Sequence, residues 1–150
     1  MSEEQTPPEH PAAALVVRRF IRATPERLFD AWTDPEKLVQ WWGPEGVACH
    51  SAELDARPGG AYRIANRLAD GRILWISGMF EVVQRPTRLV FSWQLDAPGA
   101  TVERVTVTFS AIAEGTEVMV THERIGDDKT RVGHARGWEG CLEGLARFAV

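Results

Sequence analysis

The chain has 150 residues, 44% of them hydrophobic and 25% charged, with 17 Lys+Arg against 21 Asp+Glu for a formal net charge of −4. That is the make-up of one folded domain with its own core. It excludes a disordered chain, a collagen-like repeat and a coiled coil, and it offers no basic surplus for nucleic acid or an anionic membrane.

Residues 1–13 are acidic and Pro-rich and read as a mobile tail, leaving 14–150 as a single domain. The tail has neither a basic n-region nor an apolar h-region, so it is no signal peptide. No apolar run approaches the roughly 18 residues of a membrane span. The two cysteines, Cys49 and Cys141, are far apart and form no Cys-x-x-Cys pair. A cytoplasmic protein with reduced thiols is the expectation.

Ala14–Arg22 is apolar and β-branched, and reads as a first strand. Thr24-Pro25-Glu26 and Asp34-Pro35-Glu36 are two successive helix starts, each with a capping residue followed by Pro at the first helical position. Leu28, Phe29 and Trp32 form the apolar face of the first helix, and Leu38, Val39 and Trp42 that of the second. Gly43-Pro44-Glu45-Gly46 ends it. Strands follow over Val47–Asp55, Ala61–Leu68, Ile73–Val83, around Leu89–Trp93, around Val105–Phe109 and over Thr116–Arg124, separated by Gly- and Pro-bearing turns. Such short connections predict a meandering antiparallel sheet. From Asp127 the period changes. Val132, Ala135, Trp138, Leu142, Leu145 and Phe148 recur at helical spacing in a long amphipathic helix. Gly133, Gly137, Gly140 and Gly144 interrupt it, each at a cost of up to about 1 kcal/mol relative to Ala. They imply tight tertiary packing or a close approach to the sheet.

The order is β-α-α-β(n)-α, an α+β arrangement of a curved sheet and one terminal helix. With these motifs it resembles the helix-grip fold of the START/SRPBCC (START/Bet-v-like) superfamily. More narrowly it resembles the family named after the activator of the heat-shock-protein-90 ATPase. The match is carried by Phe20, Ala23–Phe29, Ala31–Glu36, Trp41–Pro44, Asp55–Gly60, Pro86–Trp93, Gly115-Thr116 with His122, and Gly137-Trp138 with Leu142 and Leu145. The founding cochaperone uses an additional N-terminal domain for which 150 residues leave no room, so activation of the chaperone is not carried over. The resemblance implies a space between the sheet and the terminal helix that takes an apolar or aromatic ligand.

Six Trp stand against one Tyr, and two explanations compete. Trp32, Trp93 and Trp138 fill the core, or Trp41, Trp75, Trp93 and Trp138 line a cavity and stack on a flat ligand. His122 shares a strand face with Val118 and Val120 and points inward, where it needs a partner. His134 lies four residues before Trp138, on the same helix face. The two imidazoles either bond backbone or water at the cavity rim or act on a ligand. The expected ligand-binding set is therefore Trp41, Trp75, Trp93, His122, His134 and Trp138. Asp55 and Arg57 form an inter-strand ion pair or recognise a ligand carboxylate. Cys49, His50, His122, His134 and Cys141 match no zinc spacing, and Ser77 and Ser92 sit in no nucleophile elbow. No metal, cofactor or catalytic residue is expected.

Small-molecule binding is the leading reading. A cochaperone-like interaction module, with a chaperone partner or a homodimer, is the second. An enzyme with His122 or His134 as general base is the third.

Overall fold

Both helix starts are built as capped turns. The Arg27 N–H donates to Thr24 Oγ1 at 3.2 Å and opens α1 (Pro25–Thr33). The Glu36 N–H donates to Asp34 Oδ1 at 2.9 Å and opens α2 (Pro35–Trp41). Asp127 caps the long helix α3 (Asp128–Ala149), accepting from the Thr130 N–H at 2.7 Å. The computed structural model describes residues 14–43 and 46–150. The expected tail over 1–13 and the middle of the turn after α2 lie outside them.

The strands are β1 (Leu15–Ile21), β2 (Ala48–Leu54), β3 (Ala61–Arg67), β4 (Ile73–Gln84), β5 (Arg88–Leu95), β6 (Glu103–Ile112) and β7 (Gly115–Glu123). They form one antiparallel sheet of seven in the order β1-β7-β6-β5-β4-β3-β2. The meander runs from β2 to β7, and β1 closes on β7 in the register Leu15↔His122 to Ile21↔Thr116. Together with the two short helices and α3 this is the helix-grip fold. Among the described residues, no helix is long and apolar enough to cross a membrane.

Alternation decides what faces the core. Val105, Val107 and Phe109 on β6 and Val118, Val120 and His122 on β7 are buried on the face that looks toward α3. Gly78 lets β5 approach β4: a Cβ there would lie 2.0 Å from the Ser92 carbonyl oxygen. The β4–β5 register shifts just beyond it, between Phe80 and Val82, which bends the strand as bulges do.

The helix α3 packs closely on β1, α1 and α2. At Gly144 a Cβ would lie 2.4 Å from the Trp41 carbonyl oxygen, so the close approach is to the end of α2 rather than to the sheet. Gly133 and Gly137 are different: a Cβ on either would meet nothing within 4 Å. The C-terminal half of α3 is clamped, and its N-terminal half stands off from β3, β4 and β5.

Candidate functional site

The space left beneath the N-terminal half of α3 is a cavity of about 230 Å³. The helix contributes Gly133, His134, Gly137, Trp138 and Cys141 to its wall. The sheet contributes Asn66 and, on β4 and β5, Leu74, Ile76, Trp93 and Leu95. Trp42, just past α2, closes the remaining side. Exposed Gly133 and half-buried Leu74 and Leu95 bring the cavity to the surface. The wall is apolar and aromatic with few polar groups, as small-molecule sites are.

The indoles of this wall belong to a larger cluster. Trp32 touches Trp41, Trp42 and Trp138 at centroid distances of 5.0, 6.3 and 6.0 Å. Trp42 and Trp138 each reach Trp93, at 6.2 and 5.3 Å. Trp32 and Trp41 pack the core, while Trp42, Trp93 and Trp138 face the cavity.

The polar end is a chain of four side chains, of which Trp138, His122 and Glu103 are buried and His134 is half-buried. The Trp138 indole N–H donates to His122 Nδ1 at 2.9 Å. An indole nitrogen only donates, so Nδ1 is the unprotonated nitrogen and the proton sits on Nε2. His122 Nε2–H then donates to Glu103 Oε1 at 2.7 Å. His134 Nε2 lies 3.0 Å from the same oxygen, and with that oxygen a carboxylate acceptor, this nitrogen also carries its proton. The two imidazoles stack, 4.4 Å apart and 14° from parallel. His122 is fully buried with both ring nitrogens engaged, so it has none to offer a ligand. His134 lines the cavity and keeps Nδ1 without a partner among the described residues.

Glu103, His122 and His134 bring ligand atoms within 4.8 Å of one another, a spacing a metal ion can span. Their hydrogen bonding opposes it. A metal on His122 Nε2 would move the proton to Nδ1, where it would face the Trp138 N–H donor against donor.

Burial lowers the His134 pKa, the nearby His122 adds to the effect, and Glu103 opposes both without overcoming them. The folded protein therefore binds this proton less readily than the unfolded chain. Its contribution is intact above the ordinary imidazole value of 6.5 and lost as pH falls through the lower folded value. Thermal melts between pH 7.5 and pH 5 are expected to show stability falling with pH, and His134→Gln is expected to flatten that dependence. An identical slope in the variant would remove His134 as its cause.

The remaining candidates are placed as follows. Trp41 is buried away from the cavity because its indole turns to α1 and donates to the Ala31 carbonyl at 2.9 Å. Trp75 lies on the opposite face of β4 from Ile76, under the Arg63 guanidinium at 4.0 Å. Neither lines the cavity. Asp55 and Arg57 pair with each other at 2.8 Å, out in solvent. Cys141 is in the wall, but burial pushes its thiol up to about 12, so it is no thiolate nucleophile near neutral pH. The sequence reading missed Trp42, Asn66 and Glu103. The Trp42 N–H donates to Asn66 Oδ1 at 3.0 Å, and Asn66 Nδ2 donates to the Leu74 carbonyl at 3.3 Å. That chain ties α2 to β3 and satisfies the polar atoms of one wall.

Residues 22–149 match the family model described as "Activator of Hsp90 ATPase homolog 1-like protein". No curated protein matches the chain. Among solved structures, the AHSA1 protein of Silicibacter pomeroyi is 28% identical, over 90% of this chain and 96% of that one, with a TM-score of 0.80. A Chromobacterium violaceum protein is 25% identical over 91% and 96% of the two chains, with a TM-score of 0.82. The CalU16 protein of Micromonospora echinospora shares the fold at 24% identity and a TM-score of 0.71, over 91% of this chain and 75% of that one.

Proposed function

The chain belongs to the Activator of Hsp90 ATPase homolog 1-like family, and on that footing we propose that it binds a flat, apolar small molecule beneath α3. The ligand lies against Trp42, Trp93, His134 and Trp138. An engineered apolar cavity of about 150 Å³ holds benzene. A cavity of about 230 Å³ therefore suits two fused rings.

The observation that carries this reading is the pair Gly133 and Gly137. Both sit inside α3 and line the cavity, and a Cβ on either would meet nothing within 4 Å. Glycine there costs the helix up to about 1 kcal/mol per position, and no close contact requires it. What the two glycines preserve is empty volume. Stability given up to keep a space open is the usual mark of a site under functional demand.

Two substitutions test it. Gly133→Ala is expected to raise stability by about 0.5–1 kcal/mol, read as a higher melting temperature. Gly137→Leu is expected to fold, fill the cavity and abolish the uptake of naphthalene that the wild type shows by calorimetry. A wild type that takes up no naphthalene, or a Gly137→Leu variant that takes it up as well as the wild type, would defeat the reading.

A further inference from the structure

We propose that His134 makes the cavity a proton-gated site, which holds an apolar guest while the imidazole is neutral and releases it when the ring takes a second proton. This inference rests on the binding reading above and adds how occupancy is controlled.

The first observation is the make-up of the wall. Of the described residues that line the cavity, only His134 and Cys141 can ionise. Burial pushes the Cys141 thiol up to about 12. His134 is therefore the wall group whose charge changes on mild acidification.

The second observation is where the proton must go. Nε2 already carries one and donates it to Glu103 Oε1 at 3.0 Å. A further proton goes to Nδ1, which has no partner among the described residues. The new N–H then depends on water, and a buried polar group without a partner is costly. His122 cannot take the proton instead without giving up the Trp138 N–H.

The surroundings set the sign. Glu103, from β6, favours the imidazolium, and His122, from β7, opposes it. The β5 neighbour is the uncharged Trp93, at 5.9 Å. His122 covers one face of the ring at 4.4 Å. In the free protein, burial already outweighs Glu103 and holds the His134 pKa below the ordinary imidazole value. An apolar guest displaces water from the part of the ring that lines the cavity, and so adds to that burial. The guest lowers the pKa further, and by reciprocity the proton weakens the guest to the same extent. Affinity is level above the free-state pKa and falls as pH drops through it.

The test follows the His134 ring by NMR from pH 8 to pH 4.5, with and without excess naphthalene. The titration midpoint is expected to fall by about one pH unit when the guest is bound. Calorimetry one pH unit below the free-state midpoint is expected to show naphthalene bound about fivefold more weakly than at pH 7.5. In His134→Gln the two affinities are expected to be equal, whatever their value. A midpoint that stays or rises while naphthalene binds would overturn the gate and leave the apolar-ligand reading standing. A rise would mean that the guest stacks on the imidazolium by cation–π attraction. A His134→Gln variant that keeps the pH dependence would also overturn the gate. A wild type that takes up no naphthalene at pH 7.5 would overturn both.

Discussion

His122→Phe is expected to destabilise the protein by about 3 kcal/mol, on the order of 10 °C in melting temperature for a chain of this size. Phenylalanine keeps a flat ring and leaves no cavity, so the loss is mainly polar, with some overpacking added by the larger six-membered ring at this fully buried position. Two buried groups are left short. Among the described residues, the Trp138 N–H loses its acceptor, and Glu103 loses one of two donors. Each buried, unsatisfied group costs about 1–3 kcal/mol. Glu103 keeps His134, which limits its share. Chemical denaturation of wild type and variant measures the difference. A variant as stable as the wild type would mean that water reaches these groups and that the chain is not what fixes the His134 tautomer.

Gly144→Ala is the second large effect, and its sign is the informative part. The added methyl would lie 2.4 Å from the Trp41 carbonyl oxygen. That neighbour is backbone at the end of α2 and cannot rotate away. Overpacking of this kind costs about 1–3 kcal/mol, against a helix-propensity gain of up to about 1 kcal/mol. A net loss of roughly 1–2 kcal/mol is expected by the same two principles. The same substitution at Gly133, eleven residues earlier on the same helix, is expected to stabilise. Opposite shifts in two melting curves would separate a clamped half of α3 from a half that stands off. Stabilisation at both positions would place Gly144 too far from α2 for the packing described.

The elements could be read from the chain because each carries a local signal. Caps at Thr24, Asp34 and Asp127 mark the helix starts, and period-two alternation marks β6 and β7. The site could be read less well, for three physical reasons. In β4, Ile73, Leu74, Trp75 and Ile76 are all apolar, so alternation does not say which parity faces inward, and Trp75 goes outward. In β6 the inward series Val105, Val107 and Phe109 extends back to Glu103. A carboxylate at the first position of a strand reads as solvated, and only its two histidine partners make it a buried group. Asn66 continues the inward series of Tyr62 and Ile64 in the same way. The four glycines of α3 show their cost in the chain itself. Whether a given one faces backbone or open volume depends on where α2 and the sheet have come to lie.

The indole cluster has an optical consequence. Three of its five members, Trp42, Trp93 and Trp138, form the cavity wall, and they touch Trp32 and Trp41 behind them. Excitation energy spreads among aromatic rings this close, so a guest that quenches one of the three draws emission from all five. Trp75, on the far side of the sheet under the Arg63 guanidinium, stands outside this cluster. On the binding reading proposed above, the molecule would be its own fluorescent reporter of occupancy and need no attached dye.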